Sequence, residues 1–246
     1  MTCEEFSREF DILYNNITSN QAPGLNDYEK SVFLTQAQES IILEMYSEKF
    51  EDTEDVTSYL NALVRRSSIN LENAGISPAL DEYRDKCSQK YIYEIAFDSP
   101  DYDHIWFILF EEAIKGKTEI PVIPTTWDEL HRTKRNPFRN ANNHRVLRVE
   151  VGEDDGDRVS ILLSNSILNK YNFTFLQRPE PIVISNLYEN DYGDLMTIDS
   201  DFKDLEEKDS GGNTYIKKNE CKLNPAIHRS ILSRAVQIAK SSWTSN

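Results

Sequence analysis

The apolar residues of this 246-residue chain change period near position 90, which restricts it to helices first and strands after. Phe6, Phe10, Leu13, Tyr14 and Ile17 recur at three- and four-residue spacing and predict a helix over residues 4–18. After Pro23-Gly24, Asn26 and Glu29 have capping-box spacing, and Val32, Phe33, Ala37, Ile41 and Met45 mark the apolar face of a second helix ending near Lys49. Tyr59, Leu60 and Leu63 fit either a third helix within 56–73 or a helix turning into a strand.

From Tyr91 the period becomes two: Tyr91, Tyr93, Ile95 and Phe97 alternate with other residues, and 105–110 is a short apolar run. Pro121 and Pro124 punctuate the next strand, and Thr126 with Glu129 caps a brief helix bearing Trp127 and Leu130. Residues 146–151 and 159–163 flank an acidic loop at 152–157 and predict a hairpin, while 173–176 and 181–185 predict further strands. Asn224-Pro225 opens a last helix with Ile231, Leu232, Ala235, Ile238 and Ala239 on one face. The expected fold class is α+β, with an N-terminal helical region at 1–75 and a central antiparallel β domain at 76–188. An acidic, exposed insertion at 189–221 and a C-terminal helix at 222–246 complete it.

Charge divides the chain more sharply than hydrophobicity does. The net charge is −15, with thirteen acids against three bases in residues 1–55 and nine acids against two in 189–209. Residues 131–149 reverse the sign with Arg132, Lys134, Arg135, Arg139, Arg145 and Arg148 and no acid. Residues 221–246 do the same with Lys222, Arg229, Arg234 and Lys240. An acidic total argues against a protein that coats nucleic acid, because each phosphate contact needs Lys or Arg. The basic stretch then has three readings: contact with an acidic neighbouring copy, contact with DNA phosphates, or a solvated loop. The last helix, with Arg229, Arg234, Lys240 and Trp243, is either a docking element for a partner or plain domain core.

No catalytic constellation is readable, and no metal or cofactor is expected. Asp98, Asp101, Asp103 and His104 lie close in sequence but lack the alternating ligands and glycine of a calcium loop. The acidic loop at 152–157 reads as a solvated hairpin tip. His131, His144 and His228 accompany no nucleophile elbow or phosphate loop and are expected at the surface or in caps. Cys3, Cys87 and Cys221 are odd in number and far apart, as isolated thiols in a reducing compartment are. The first ten residues carry three acids against Arg8, unlike a secretory signal, and the apolar run at 105–110 is about a third of a membrane span. Cytosolic synthesis and no membrane partner are therefore expected.

Residues 4–16, Asn20-Gln21-Ala22-Pro23-Gly24-Leu25 and 28–39 resemble the opening of structural proteins from crAss-like and related gut bacteriophages. Residues 171–176, Arg178-Pro179-Glu180-Pro181-Ile182, Cys221-Lys222-Leu223-Asn224, His228, Ile231, Leu232, Arg234-Ala235-Val236 and Ala239 are similar to the close of that group. The resemblance implies a virion subunit of the head-to-tail connector, a portal adaptor or adjacent ring, without an active site. It implies a ring of its own copies, twelvefold, against the portal protein and neighbouring connector or tail proteins at the head–tail junction. Non-specific contact with DNA in the channel is compatible with it, and 189–219 reads as a variable insertion. The rival is a small phage regulatory or DNA-binding protein using 131–148, against which no recognition-helix motif is visible.

Overall fold

The computed structural model describes residues 1–15, 24–48, 59–71, 91–97, 104–133, 136, 138–152, 158–188, 202 and 205–244. It has two compact units: 1–63 with 179–246, and 64–178. The α+β class of the sequence is the class of the structure, and the C-terminal helix belongs to the same unit as the N-terminal ones.

In the helical unit, α1 (Cys3–Asn15) begins on a capping box that the sequence reading passed over. Glu5 N donates to Thr2 Oγ1 at 3.2 Å and Thr2 N donates to Glu5 Oε2 at 2.9 Å. Its buried face is Cys3, Phe6, Phe10 and Tyr14. The box predicted for α2 (Asp27–Glu48) is present, with Glu29 N donating to Asn26 Oδ1 at 2.8 Å and Asn26 N to Glu29 Oε2 at 2.9 Å.

The buried side of α2 is wider than its expected apolar face. Leu34, Ala37, Ile41 and Ile42 are buried, but so are Ser31, Thr35 and Gln38, while Val32, Phe33 and Met45 are half-buried. The polar three serve residues 180–184, and the stretch 181–185, expected as a strand, instead forms only a single bridge, Val183 to Asn219. Ile184 N donates to Ser31 Oγ at 3.1 Å, Ile182 N to Thr35 Oγ1 at 3.1 Å, and Gln38 Nε2 to Glu180 O at 2.9 Å. On the other edge Val183 and Asn219 exchange backbone hydrogen bonds of 3.0 and 3.1 Å, and Asn219 Nδ2 donates to Pro181 O at 2.8 Å. A helix stripe thus stands where a partner strand would.

The third side of α2 meets a small antiparallel sheet of β8 (Leu187–Tyr188), β9 (Glu206–Lys208) and β10 (Thr214–Ile216), in the order β8-β10-β9. Val183, Leu187, Phe202 and Ile216 form a core cluster with Tyr28, Val32 and Leu205 packed against it. The described part of the expected exposed insertion therefore contributes to the core, because Phe202 and Ile216 are apolar anchors in an otherwise acidic stretch. Behind α2, the last helix α4 (His228–Thr244) follows a 3-10 turn at Pro225–Ile227 capped by Asn224. It buries Ile231, Leu232, Ala235, Val236 and Ala239, and it packs on both α1 and α2.

The second unit begins with β1 (Val64–Asn70), entered directly from a one-turn 3-10 helix (Asn61–Leu63) that ends the first stretch of the first unit, as the helix-into-strand reading had it. The sheet also contains β2 (Tyr91–Ala96), β3 (Ile105–Lys115), β4 (Thr118–Thr125), β5 (Val146–Gly152), β6 (Arg158–Ser164) and β7 (Lys170–Gln177). Its order is β1-β7-β3-β4-β5-β6-β2, antiparallel except for the parallel pair β4–β5. The predicted hairpin is β5–β6, while its loop at 153–157 lies outside the described residues. A two-residue turn joins β3 to β4, with Gly116 at φ 61, a left-handed value that favours glycine at this position.

One face of the sheet buries Tyr93, Ile95, Ile105, Val122, Val146, Leu162, Tyr171, Phe173 and Phe175. The other buries Ile92, Leu147, Val149, Ile161 and Leu163 with Leu130 and Ala141 from the β4–β5 connection. Strand β3 departs from simple alternation because its register with β7 shifts between Ile105 and Phe107 and again between Ile108 and Phe110. These bulges re-aim side chains, leaving Phe110 57% exposed and Glu111 6% exposed.

Because the apolar stripe of α4 is core, ending the chain at Leu223 is expected to unfold α1 and α2. Circular dichroism and limited proteolysis of the truncated chain check this; a protease-resistant remainder with native helicity for α1 and α2 would contradict it.

Candidate assembly surfaces

The basic stretch is the crossover that a parallel strand pair requires. It starts with α3 (Trp127–Thr133), where Glu129 N donates to Thr126 Oγ1 at 3.3 Å and Leu130 is buried. Asp128 and Glu129 in the first turn and His131 and Arg132 in the last match the sign of the helix dipole at each end. Arg132 is exposed, while Lys134 and Arg135 lie outside the described residues.

The loop that follows is braced by asparagines. Phe138 N donates to Asn136 Oδ1 at 3.0 Å, Ala141 N to Asn140 Oδ1 at 2.8 Å and His144 N to Asn142 Oδ1 at 2.8 Å. Asn165 Nδ2 donates to Ala141 O at 2.8 Å, and Ser166 Oγ donates to Asn143 Oδ1 at 3.1 Å, fixing the loop to the end of β6. Arg145 is half-buried and donates from Nη1 to Phe138 O at 2.7 Å. The loop therefore holds Phe138 outward at 82% exposure beside exposed Arg139.

Arg148 is placed differently from the rest of its group. It sits on β5, 6% exposed, with Nε 2.6 Å from Glu111 Oε1. Its Nη1 donates to Glu150 Oε1 at 2.7 Å and to Ser160 Oγ at 3.3 Å, and Tyr171 Oη donates to Glu111 Oε1 at 3.1 Å. Burial raises the Glu111 carboxyl above its ordinary range, with Arg148 opposing that shift. Burial, and then the Glu111 charge, push the Tyr171 phenol strongly upward, so it stays a donor. Burial by itself would lower the Arg148 guanidinium, but Glu111 and Glu150 reverse the sign. The guanidinium is thereby occupied inside the β unit.

On α4, Arg229 is exposed, Arg234 Nη2 lies 2.6 Å from Glu44 Oε2, and Lys240 Nζ donates to Leu13 O at 3.0 Å. Trp243 is in the last turn, its side chain outside the described set. A shallow groove of about 480 Å³ between α2 and α4 is lined by Ile41, Glu44, Arg229, Ser233, Arg234 and Gln237. His228 is 3% exposed, so its side chain belongs to the interior and not to the surface, while its backbone N–H donates to Pro225 O and caps the 3-10 turn as expected. Its Nε2 lies 3.0 Å from Leu223 O and its Nδ1 2.7 Å from the Met1 amine, and its ring lies 5.5 Å from that of Phe6.

The other three histidines, His104, His131 and His144, are exposed, and Asp98, Asp101 and Asp103 lie outside the described residues. Among the described residues no group of three His, Cys, Asp or Glu is arranged to hold a metal ion. No described helix is long and apolar enough to cross a membrane. The described thiols are weak nucleophiles: burial raises Cys3 above its ordinary value and pushes Cys221 up to about 11.

Two predictions follow from these interiors. Removing one member of a buried pair strands the other, so Glu111→Ala or Arg148→Ala is expected to destabilise the β unit by about 3–5 kcal/mol. The double change Glu111→Leu with Arg148→Met is expected to recover most of that loss; denaturant melts of the three variants check it. For His228, burial lowers the imidazole below 6.5. The proton therefore binds the unfolded chain more strongly, and stability present above about pH 6.5 is lost as pH falls toward the folded value. His228→Gln is expected to flatten this slope in thermal melts between pH 7.5 and 5, and an unchanged slope would assign it elsewhere.

Comparison with known proteins covers the whole chain. The model of the family described as phage tail ring protein 3/4 matches residues 1–246. The chain is 32% identical to ring protein 3 of Bacteroides phage crAss001 over 254 residues, covering 97% of this chain and 95% of that protein. It is 30% identical to ring protein 4/5 of the same phage over 252 residues, covering 99% of this chain and 94% of that one.

Proposed function

The chain belongs to the phage tail ring protein 3/4 family, and from that premise we propose that it is a non-catalytic subunit of the head-to-tail connector whose copies close into a ring. It is a structural ring protein of a crAss-like phage virion, and the end-to-end likeness to two ring proteins is the observation that carries this. The DNA-binding regulator that the basic stretch had suggested gives way to that likeness, which extends over both units rather than the basic stretch alone.

Several features support the finer proposal. A subunit of net charge −15 repels its copies at long range, so contacts need local patches of the opposite sign. The crossover loop supplies one, with exposed Arg132 and Arg139 on a scaffold held by backbone and asparagine hydrogen bonds. The chemistry-bearing side chains with perturbed ionisation serve packing, as with Glu111, Arg148 and Tyr171, or the helical core, as with His228. In this proposal twelve copies stand at the head–tail junction against the portal or a neighbouring ring. The exposed bases face protein, and DNA in the channel is touched without sequence preference.

Cryo-electron microscopy of purified virions, with copy number by quantitative mass spectrometry, tests the ring and its tier. Reversing Arg132, Lys134, Arg135 and Arg139 to Glu is expected to reduce incorporation into particles, most strongly at low salt where charge contacts are least screened. Particles that assemble normally but lose DNA would assign these side chains to the genome.

A further inference from the structure

We propose that Phe138 and Arg139 of one copy seat on an outer patch of the β sheet of the next copy, around Phe110 and Glu112, and so form a head-to-tail contact of the ring. The inference rests on the ring function proposed above and names the surfaces that make it.

Phe138 is 82% exposed, the most exposed of the large apolar side chains described. An aromatic ring held out on a mobile loop would lose much of its binding energy to ordering. Here the residues around it are braced: Asn136, Asn140 and Asn142 cap the amides of Phe138, Ala141 and His144, and Arg145 grips the Phe138 carbonyl. Aromatic and arginine side chains presented together in this way are typical of interface centres.

The receiving surface lies on the strands β1, β7 and β3. A cleft of about 590 Å³ is lined there by Arg66, Ser68, Phe110, Glu112, Asn172 and Thr174. Phe110, 57% exposed because of the β3 bulge, gives the cleft an apolar wall. Glu112 sits two residues along, its Oε1 accepting from Asn172 Nδ2 at 2.9 Å, and leaves carboxylate lone pairs to take an incoming guanidinium. Arg66, exposed on β1, can lie over the face of an aromatic ring. Phe138 against Phe110 and Arg66, with Arg139 against Glu112, pairs each group with its chemical complement.

A second copy is the occupant favoured by the arrangement. A ring needs a heterologous contact, with two different patches on each subunit at a fixed angle. Both patches lie in the same compact unit, one on the β4–β5 connection and one on β1-β7-β3, so the sheet itself sets the angle between them.

The test uses the full-length chain, supplied during infection with p-benzoylphenylalanine in place of Phe138 and recovered in particles. Irradiation is expected to cross-link position 138 to the peptide containing Phe110 and Glu112, between labelled and unlabelled copies. In parallel, Arg139→Glu and Glu112→Arg are each expected to lower incorporation about tenfold, and the two together to restore it. Cross-links to another virion protein, to DNA, or to a different surface of this chain would overturn the contact, as would single variants that incorporate normally. Particle copy number is read in the same samples. A ring with no such cross-link rejects this contact alone, whereas absence of a ring rejects the proposed function.

Discussion

The hydroxyl of Thr35 both accepts from Ile182 N, at 3.1 Å, and faces Ile182 O, at 3.5 Å, and the helical unit is organised around that exchange. An extended segment buried on both edges needs a partner for every second amide and carbonyl, and normally a strand provides them. Here the even-numbered residues 180, 182 and 184 turn to Gln38, Thr35 and Ser31, and the odd-numbered 181 and 183 to Asn219. The geometry permits it because the helix rises about 6 Å from Ser31 to Thr35, close to the two-residue repeat of about 6.6 Å in an extended chain. The longer side chain of Gln38 spans the shorter step of about 4.5 Å that follows. The helix and the segment run in opposite directions, so 31, 35 and 38 meet 184, 182 and 180 in turn. Once α2 is committed to this seam, its remaining sides fall to α1 and α4 on one flank and to the Phe202–Ile216 cluster on the other.

The β unit has the converse problem, a charged pair inside an apolar face. Bulges in β3 bring Glu111 inward beneath Tyr171, and the parallel strand β5 brings Arg148 to meet it. Such a pair adds little net stability, since desolvation offsets most of the attraction. What it does is tie β3, β5 and β7 together in one register, because a one-residue slip would leave two buried charges unmatched. The same bulge that turns Glu111 in turns Phe110 out, so core order and surface pattern share one origin.

Elements with a local signature were legible in the sequence: the Asn26–Glu29 box, the Thr126 cap, the β5–β6 hairpin and the apolar stripe of α4 each rest on residues a few positions apart. What depended on distant partners was not. The buried role of Ser31, Thr35 and Gln38 needs residues some 150 positions away, so nothing in their local spacing marked them. Arg148 looked like its basic neighbours because Glu111 is far off in sequence; the available signal was that it falls within an alternating strand pattern where they do not. Phe138 was visible as a residue, but its significance comes from the asparagine bracing, which spacing alone does not reveal.

The asparagines brace the described part of a strongly basic connection in a chain whose net charge is acidic. Like charges on a loop repel and favour extended, solvated conformations, so Arg132, Arg139 and Arg145 would loosen it unless local bonds opposed them. Asparagine is suited to this because its carbonyl oxygen caps a nearby amide in turn geometry without adding charge of either sign. Aspartate would cap as well but would cancel the local positive potential. An uncharged, rigid scaffold therefore keeps both properties that a contact surface between acidic subunits requires, a fixed shape and an undiluted opposite charge.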